Sequence, residues 1–272
     1  MKPAAFEYER PSSVAEATRL LSGTPGARLL AGGQTLGPML NLRLARPQLL
    51  INITRIRELA VVEVDAEAIT IGATVTHAAI EDGRCGIPAP MSTFLGSVAR
   101  GIAYRAVRNR GTIGGSIAHV DPAADWLSCL TALGAEVVIA GPAGERTAPV
   151  IEFVRGAMEP DLAAGEMIRA LRIPRFSQGA RFGFHKICRK AGEFAEAIGV
   201  VVADPESGRV RAVAGATADR PLLIDMQARS SNAVTVGEAL TLLEQAHFAG
   251  DTYERKIHAV ALKRAHESAL AS

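Results

Sequence analysis

Ala31-Gly32-Gly33-Gln34-Thr35 and Gly111-Thr112-Ile113-Gly114-Gly115-Ser116 are the two stretches that organise this chain. A Gly-Gly step opens backbone conformations closed to other residues and clears away side chains that would keep a ligand at a distance. Successive N–H groups in such a turn form a small anion-binding concavity. One such turn is common in plain loops. Two, each followed by a small polar side chain, point to a pyrophosphate gripped from two sides, and so to a dinucleotide.

The chain around them has 272 residues, 48% of them hydrophobic, enough for a sizeable core in one large domain or two to three small ones. A net charge of +2 implies neither nucleic acid nor an anionic membrane as a partner. Cys85, Cys129 and Cys188 are far apart and form no CxxC, so a disulfide framework, a zinc site or an iron–sulfur site is not expected. A reducing, cytoplasmic setting is the simplest reading. The first residues carry charges and no apolar run, unlike a signal peptide. No apolar run approaches the roughly 20 residues that cross a bilayer, so no integral membrane segment is expected.

Taken in order, Ser13 and Glu16 have capping-box spacing before a helix with Ala17, Leu20 and Leu21 on its apolar face. Residues 27–31 read as a buried strand leading into Gly32 and Gly33. Residues 38–44 read as a loop or short helix, and 47–53 and 68–74 as strands. A short helix is expected over 76–81. An amphipathic one follows from Ser92, with Leu95, Val98, Ala99 and Ile102 at helical spacing. Beyond Gly115, Asp121 reads as a cap and Pro122 as the first turn of a helix bearing Trp126, Leu127, Leu130 and Leu133. Residues 135–140, 167–173, 181–188, 197–203 and 209–216 read as strands. Thr235 with Glu238, and Asp251 with Glu254, open two terminal helices. The whole reads as α+β.

The usual signatures are missing. Neither glycine loop is a G-x-G-x-x-G, and there is no P-loop, HExxH or G-x-S-x-G. The six histidines are scattered, each more easily a surface or packing residue than a ligand. With no nucleophile–base pair, and so no catalytic or metal-binding residue assigned, a bound cofactor has to carry the chemistry. Three groups keep two readings. Arg105, Arg108 and Arg110 are either a solvated basic face or a support for the second glycine loop or a ligand phosphate. Asp125 is either a carboxylate favoured by a helix N-terminus or an acceptor for a ligand hydroxyl. Lys186 is either a snorkelling surface lysine or a positive charge beside an anionic flavin ring.

These stretches carry a resemblance. Residues 31–40, Ala-Gly-Gly-Gln-Thr-Leu-Gly-Pro-Met-Leu, resemble the first FAD-pyrophosphate motif of the FAD-binding medium subunits of molybdenum hydroxylases. This is the family of the carbon monoxide dehydrogenase medium subunit and the xanthine dehydrogenase flavin domain. Residues 107–116, Val-Arg-Asn-Arg-Gly-Thr-Ile-Gly-Gly-Ser, resemble its second motif. Phe184-His185-Lys186 with residues 189–195, Arg-Lys-Ala-Gly-Glu-Phe-Ala, is similar to the opening of its C-terminal domain. The likeness covers nearly the whole chain in order. It implies the two-subdomain FAD-binding fold shared with vanillyl-alcohol oxidase and UDP-N-acetylenolpyruvoylglucosamine reductase. A C-terminal α+β domain with an antiparallel sheet would follow. The expected domains are residues 1–57 and 58–175 for the two FAD-binding subdomains and 176–272 for the C-terminal domain.

Carried over by position, the resemblance implies that Ala31, Gly32, Gly33, Gln34, Thr35 and Leu36, with Thr112, Ile113, Gly114, Gly115 and Ser116, bind the FAD pyrophosphate. Asp125 would meet the ribityl or flavin end, Lys186 would lie near the isoalloxazine, and His77 would line the cofactor. The chain departs from the family pattern at Gly37, often leucine, and at Ser116, often asparagine. It departs also at Glu193, usually aspartate, and at Glu196, commonly apolar. Residues 103–107, Ala-Tyr-Arg-Ala-Val, are closer to members acting on nitrogen heterocycles such as quinoline.

The resemblance further implies a division of labour. A molybdopterin large subunit hydroxylates the substrate, and electrons pass through [2Fe–2S] clusters on a small subunit to FAD. FAD passes them to an external acceptor such as NAD or a quinone, within a dimer of heterotrimers. Two alternatives stand beside it: a stand-alone FAD-dependent reductase of the same fold, and a flavin-poor scaffold subunit.

Overall fold

The computed structural model describes residues 2–226 and 233–272. Helices and strands mix along the chain, in keeping with the α+β reading. Among the described residues the strands form three main sheets and a small two-stranded one. In the N-terminal sheet Leu49–Asn52 lies between Glu7–Glu9 and Arg28–Leu30, parallel to both. The central sheet is antiparallel, in the order Val62–Val64, Ala68–Gly72, Met167–Pro174, Glu136–Gly141, Gly144–Pro149. The C-terminal sheet is also antiparallel and runs in chain order: Arg181–Ile187, Ala197–Asp204, Arg209–Gly215, Leu222–Ile224.

The strand Ala197–Asp204 shows why its sequence is apolar throughout. Successive side chains point to opposite faces. Val200 and Val202 join the core that holds Trp126, Leu127 and Leu130, while Val201 joins the core beneath the terminal helix with Leu262 and Ala265. Both faces are covered, so no alternation survives. Helix Thr252–Ala271 sits directly on the sheet. A Cβ at Gly183 would lie 1.8 Å from the Ala265 carbonyl oxygen, so the strand must be bare there. No helix among the described residues is long and apolar enough to cross a membrane.

Local chemistry explains most element ends, and the structure differs from the sequence reading in several places. Both terminal helices open with complete capping boxes. At the first helix, Val14–Gly23, only half forms. Ser13 accepts from the Glu16 amide, but the Glu16 carboxylate takes the Ser12 amide instead, at 2.8 Å. The helix expected at Pro122 starts later, as Asp125–Ala132 with Ala124 at its cap. Asp121 accepts from the Ala123 amide at 2.9 Å, an Asx turn that bends the chain before the helix rather than capping it. The segment around Pro38 is helix Leu36–Asn41, with proline in the first turn, where its missing N–H removes no intrahelical bond. Strand Gly144–Pro149 was not expected at all. It is an edge strand with mostly exposed side chains, so its sequence lacks the apolar signal.

Candidate cofactor site

Strand Arg28–Leu30 delivers the chain to Ala31, Gly32 and Gly33, and the turn then enters helix Leu36–Asn41. Gly33 has φ of 70°, the left-handed region that favours glycine. Gln34 folds back and donates to the Gly32 carbonyl at 3.1 Å. Thr35, at the helix cap, makes no side-chain capping bond. Among the described residues no acceptor faces the amides of Gly33, Gln34, Thr35 or Leu36. The first loop therefore presents a run of open donors at a partly exposed turn, the arrangement that binds anions.

The second loop is built differently. Its helix, Ile113–His119, is capped by Thr112, whose hydroxyl accepts from the Gly115 amide at 3.1 Å. The Ile113 amide donates to Val75 O and the Gly114 amide to Ala73 O, both at 3.0 Å, and the Ser116 amide to Thr112 O. These amides are already engaged, so the run of open amides lies in the first loop and not in the second. Thr112, Ile113 and Gly114 are buried, while Gly115 is exposed and Ser116 half-buried. Only the last two face outward.

The loops meet at Gly32. A Cβ there would lie 2.0 Å from the Arg110 carbonyl oxygen and 2.9 Å from Gly111 Cα. The glycine is required because backbone lies on backbone. The first loop is thus packed against the start of the second.

His77 opens the short helix His77–Glu81, with Thr76 as its cap. Its own amide donates to Gly111 O at 2.9 Å. The ring is buried. Its Nδ1 accepts from the Trp126 indole N–H at 3.0 Å, which leaves the proton of the neutral ring on Nε2. Burial, helped by the Arg108 charge, pulls its pKa down to about 4. A Cβ on Gly111 would lie 2.8 Å from His77 Nε2, so the ring packs against the second loop.

Asp125 and Lys186, expected separately around a flavin, are each other's partners. Lys186 Nζ lies 3.0 Å from Asp125 Oδ1 and donates to Oδ2 at 3.2 Å and to Gly101 O at 2.8 Å. Both side chains are 8% exposed. Burial raises the Asp125 carboxyl above the usual range, and the ammonium works against that. Lys186 is neither a surface lysine nor an unpaired charge. Asp125 Oδ1, although close to the ammonium, accepts no directed hydrogen bond. With the ammonium 3.0 Å from that oxygen, the carboxylate is taken up by the ion pair.

The arginines divide. Arg108 is buried and bonds Glu81 through Nε and Nη2, at 2.8 and 3.1 Å. Arg105, half exposed, pairs with Glu81 and Asp82, and Arg110 is exposed. The Arg108 guanidinium bonds Glu81 and the carbonyls of Ile102 and Ala103 rather than residues 111–116, and Arg110 lies in solvent. The support residues that sequence reasoning missed are Glu81, Trp126 and Ala73. Their link to the loop is tertiary, and the signal available was the arginine spacing in Arg105-Ala106-Val107-Arg108.

Residues 4–176 match the family described as "FAD binding domain in molybdopterin dehydrogenase". The carbon monoxide dehydrogenase medium chain of Hydrogenophaga pseudoflava is 40% identical over 210 residues, spanning 76% of this chain and 72% of that relative. A solved structure of carbon monoxide dehydrogenase from the same organism superposes with a TM-score of 0.87 at 33% identity, covering 100% of this chain and 99% of that one. Quinoline 2-oxidoreductase from Pseudomonas putida 86 superposes with a TM-score of 0.83 at 29% identity, covering 99% and 100%.

Proposed function

The chain belongs to the family of FAD-binding domains of molybdopterin dehydrogenases, and from that premise we propose that it is the electron-transfer subunit of a multi-subunit molybdenum hydroxylase. It takes electrons from [2Fe–2S] clusters on a small partner subunit and passes them to an external acceptor such as NAD or a quinone. A molybdopterin large subunit completes the heterotrimer, which is doubled in the assembly. FAD, when bound, supplies the link between one-electron donors and a two-electron acceptor. The domains are residues 1–57, 58–175 and 176–272.

The observation that carries this reading is the junction at Gly32, where the loop whose amides at residues 33–36 are open packs on Arg110 and Gly111 at the start of the second loop. Ala31, Gly32, Gly33, Gln34, Thr35 and Leu36 hold the pyrophosphate by donating to it. Gly115 and Ser116 bound it on the other side. Thr112, Ile113, Gly114 and His77 act from beneath, by fixing the second loop on residues 73–77. Asp125 stands toward the ribityl or flavin end of the cofactor and Lys186 near the isoalloxazine, the two holding each other in place.

The chain's three cysteines are too few for even one four-thiolate [2Fe–2S] cluster, which supports placing the iron on another subunit. Relatives of similar likeness are named for carbon monoxide and for quinoline. One scaffold serving such different substrates supports placing substrate choice on the large subunit.

The test begins with the visible spectrum of the purified chain and identification of its released cofactor. Stoichiometric FAD is expected, and Gly33→Val should remove it by forcing a side chain into the left-handed region. Pull-down from the native host should bring an iron-bearing partner. A chain that arrives with no iron-bearing partner would reject the electron-transfer role.

A further inference from the structure

We propose that Arg108 is the positioning residue of the cofactor site, setting through backbone contacts the relative placement of both glycine loops and of Lys186. This rests on the reading that the glycine loops hold FAD. The guanidinium reaches two separate targets. Nε and Nη2 fork onto the Glu81 carboxylate, and Nη1 donates to the carbonyls of Ile102 at 2.9 Å and Ala103 at 3.0 Å. The Arg108 and Glu81 side chains are each 10% exposed, so the charges are compensated by one another rather than by solvent.

What those carbonyls belong to gives the pair its reach. Gly101, one residue before Ile102, accepts from Lys186 at 2.8 Å. Ala103 has φ of 43°, a conformation an alanine holds only when its surroundings enforce it. Ile102 bridges Gly192 of the C-terminal region, and a Cβ on Gly192 would lie 2.5 Å from Ala103 O. On the other side of Arg108, two residues on, is the Arg110 carbonyl against which Gly32 lies. The next residue, Gly111, receives the His77 amide. Between Gly101 and Gly111 the backbone therefore touches the Lys186 ammonium, the C-terminal region, the first loop and the floor of the second. Arg108 is the buried side chain that ties both ends of this stretch to the helix His77–Glu81.

The chemistry requires arginine. Two carboxylate oxygens and two carbonyls in different directions need a rigid multi-donor fork, and an ammonium at the end of a flexible stem cannot serve them together. Arg105 does not duplicate it, since its bonds all go to side chains of Glu81, Asp82 and Asn109.

The experiment is titration of the deflavinated full chain with FAD, followed by flavin fluorescence, alongside thermal melting without flavin. Four variants are compared: Arg108→Lys, Arg108→Gln, Glu81→Gln and Phe153→Leu. The last alters a fully buried core residue of the segment between the central strands. Arg108→Lys and Arg108→Gln should weaken FAD binding about tenfold or more, on the scale of hydrogen bonds to a charged group. The bound flavin spectrum should lose its resolved fine structure. Glu81→Gln keeps the donors to Ile102 and Ala103 and should weaken binding less. Phe153→Leu should lower the melting temperature and leave affinity unchanged. Wild-type affinity in Arg108→Lys, or affinity that follows melting temperature across all four variants, would overturn the proposal. If Arg108→Gln does not fold, Arg108→Lys and Glu81→Gln decide. A wild-type chain that takes up no FAD would instead remove the underlying reading of the loops.

Discussion

Removing one member of the Lys186–Asp125 pair should cost more than removing both. Each side chain is 8% exposed, so Asp125→Asn leaves an ammonium buried with only one carbonyl and a neutral amide. The expected loss is about 3–5 kcal/mol in urea unfolding. Asp125→Asn combined with Lys186→Met should recover a good part of it, and an additive double variant would show that the two groups do not act as a pair. His77 makes a prediction about acid. Its folded pKa of about 4 lies below the ordinary value of 6.5, so the unfolded chain binds the proton more readily. Stability from this group is full above pH 6.5 and falls as the pH drops toward 4. The loss reaches about 2 kcal/mol by pH 5 from this residue alone. Urea unfolding at pH 7 and pH 5 measures it, and His77→Phe should flatten that part of the dependence.

Among the elements, the terminal helix and the strand beneath it are tightly fitted. Gly183→Ala places a methyl group where the Ala265 carbonyl already lies, so the helix Thr252–Ala271 must lift. A loss of about 1–3 kcal/mol is expected from overpacking, read as a lower melting temperature. Substitution by alanine at Gly23, at the end of helix Val14–Gly23 with open space around it and an ordinary φ, is the matched control. The elements also show what was legible before the structure. Capping boxes at Thr235 and Asp251, apolar strands, and the glycine pairs are local signals written within a few residues, and they reappear as helix starts, buried strands and the two loops. The edge strand Gly144–Pro149 carries no such signal because its side chains face solvent. Contacts between distant parts of the chain were not legible either. Asp125 and Lys186 were each singled out, but nothing in one segment names the other. That the second loop's amides are engaged by residues 73–77 depends on a docking no local pattern encodes.

At the scale of the molecule, the central and C-terminal sheets share one core. Phe182, Ile198, Val200, Val202 and Val213 from the C-terminal sheet join Phe94, Leu95, Leu127 and Leu130 in a single apolar cluster. Residues 58–272 should therefore unfold in one cooperative step. Coincident urea transitions by tryptophan fluorescence and by helix circular dichroism would bear this out, and separated midpoints would contradict it. A chain cut after Pro174 should be insoluble, since the cut lays that cluster open. The protein has a single tryptophan, Trp126, fully buried and hydrogen-bonded to the histidine that packs against the second glycine loop. Indole emits where oxidised flavins absorb. The molecule thus carries its own optical gauge, a label-free donor whose dimming on titration reads out cofactor occupancy, even in a mixture too dilute for absorbance.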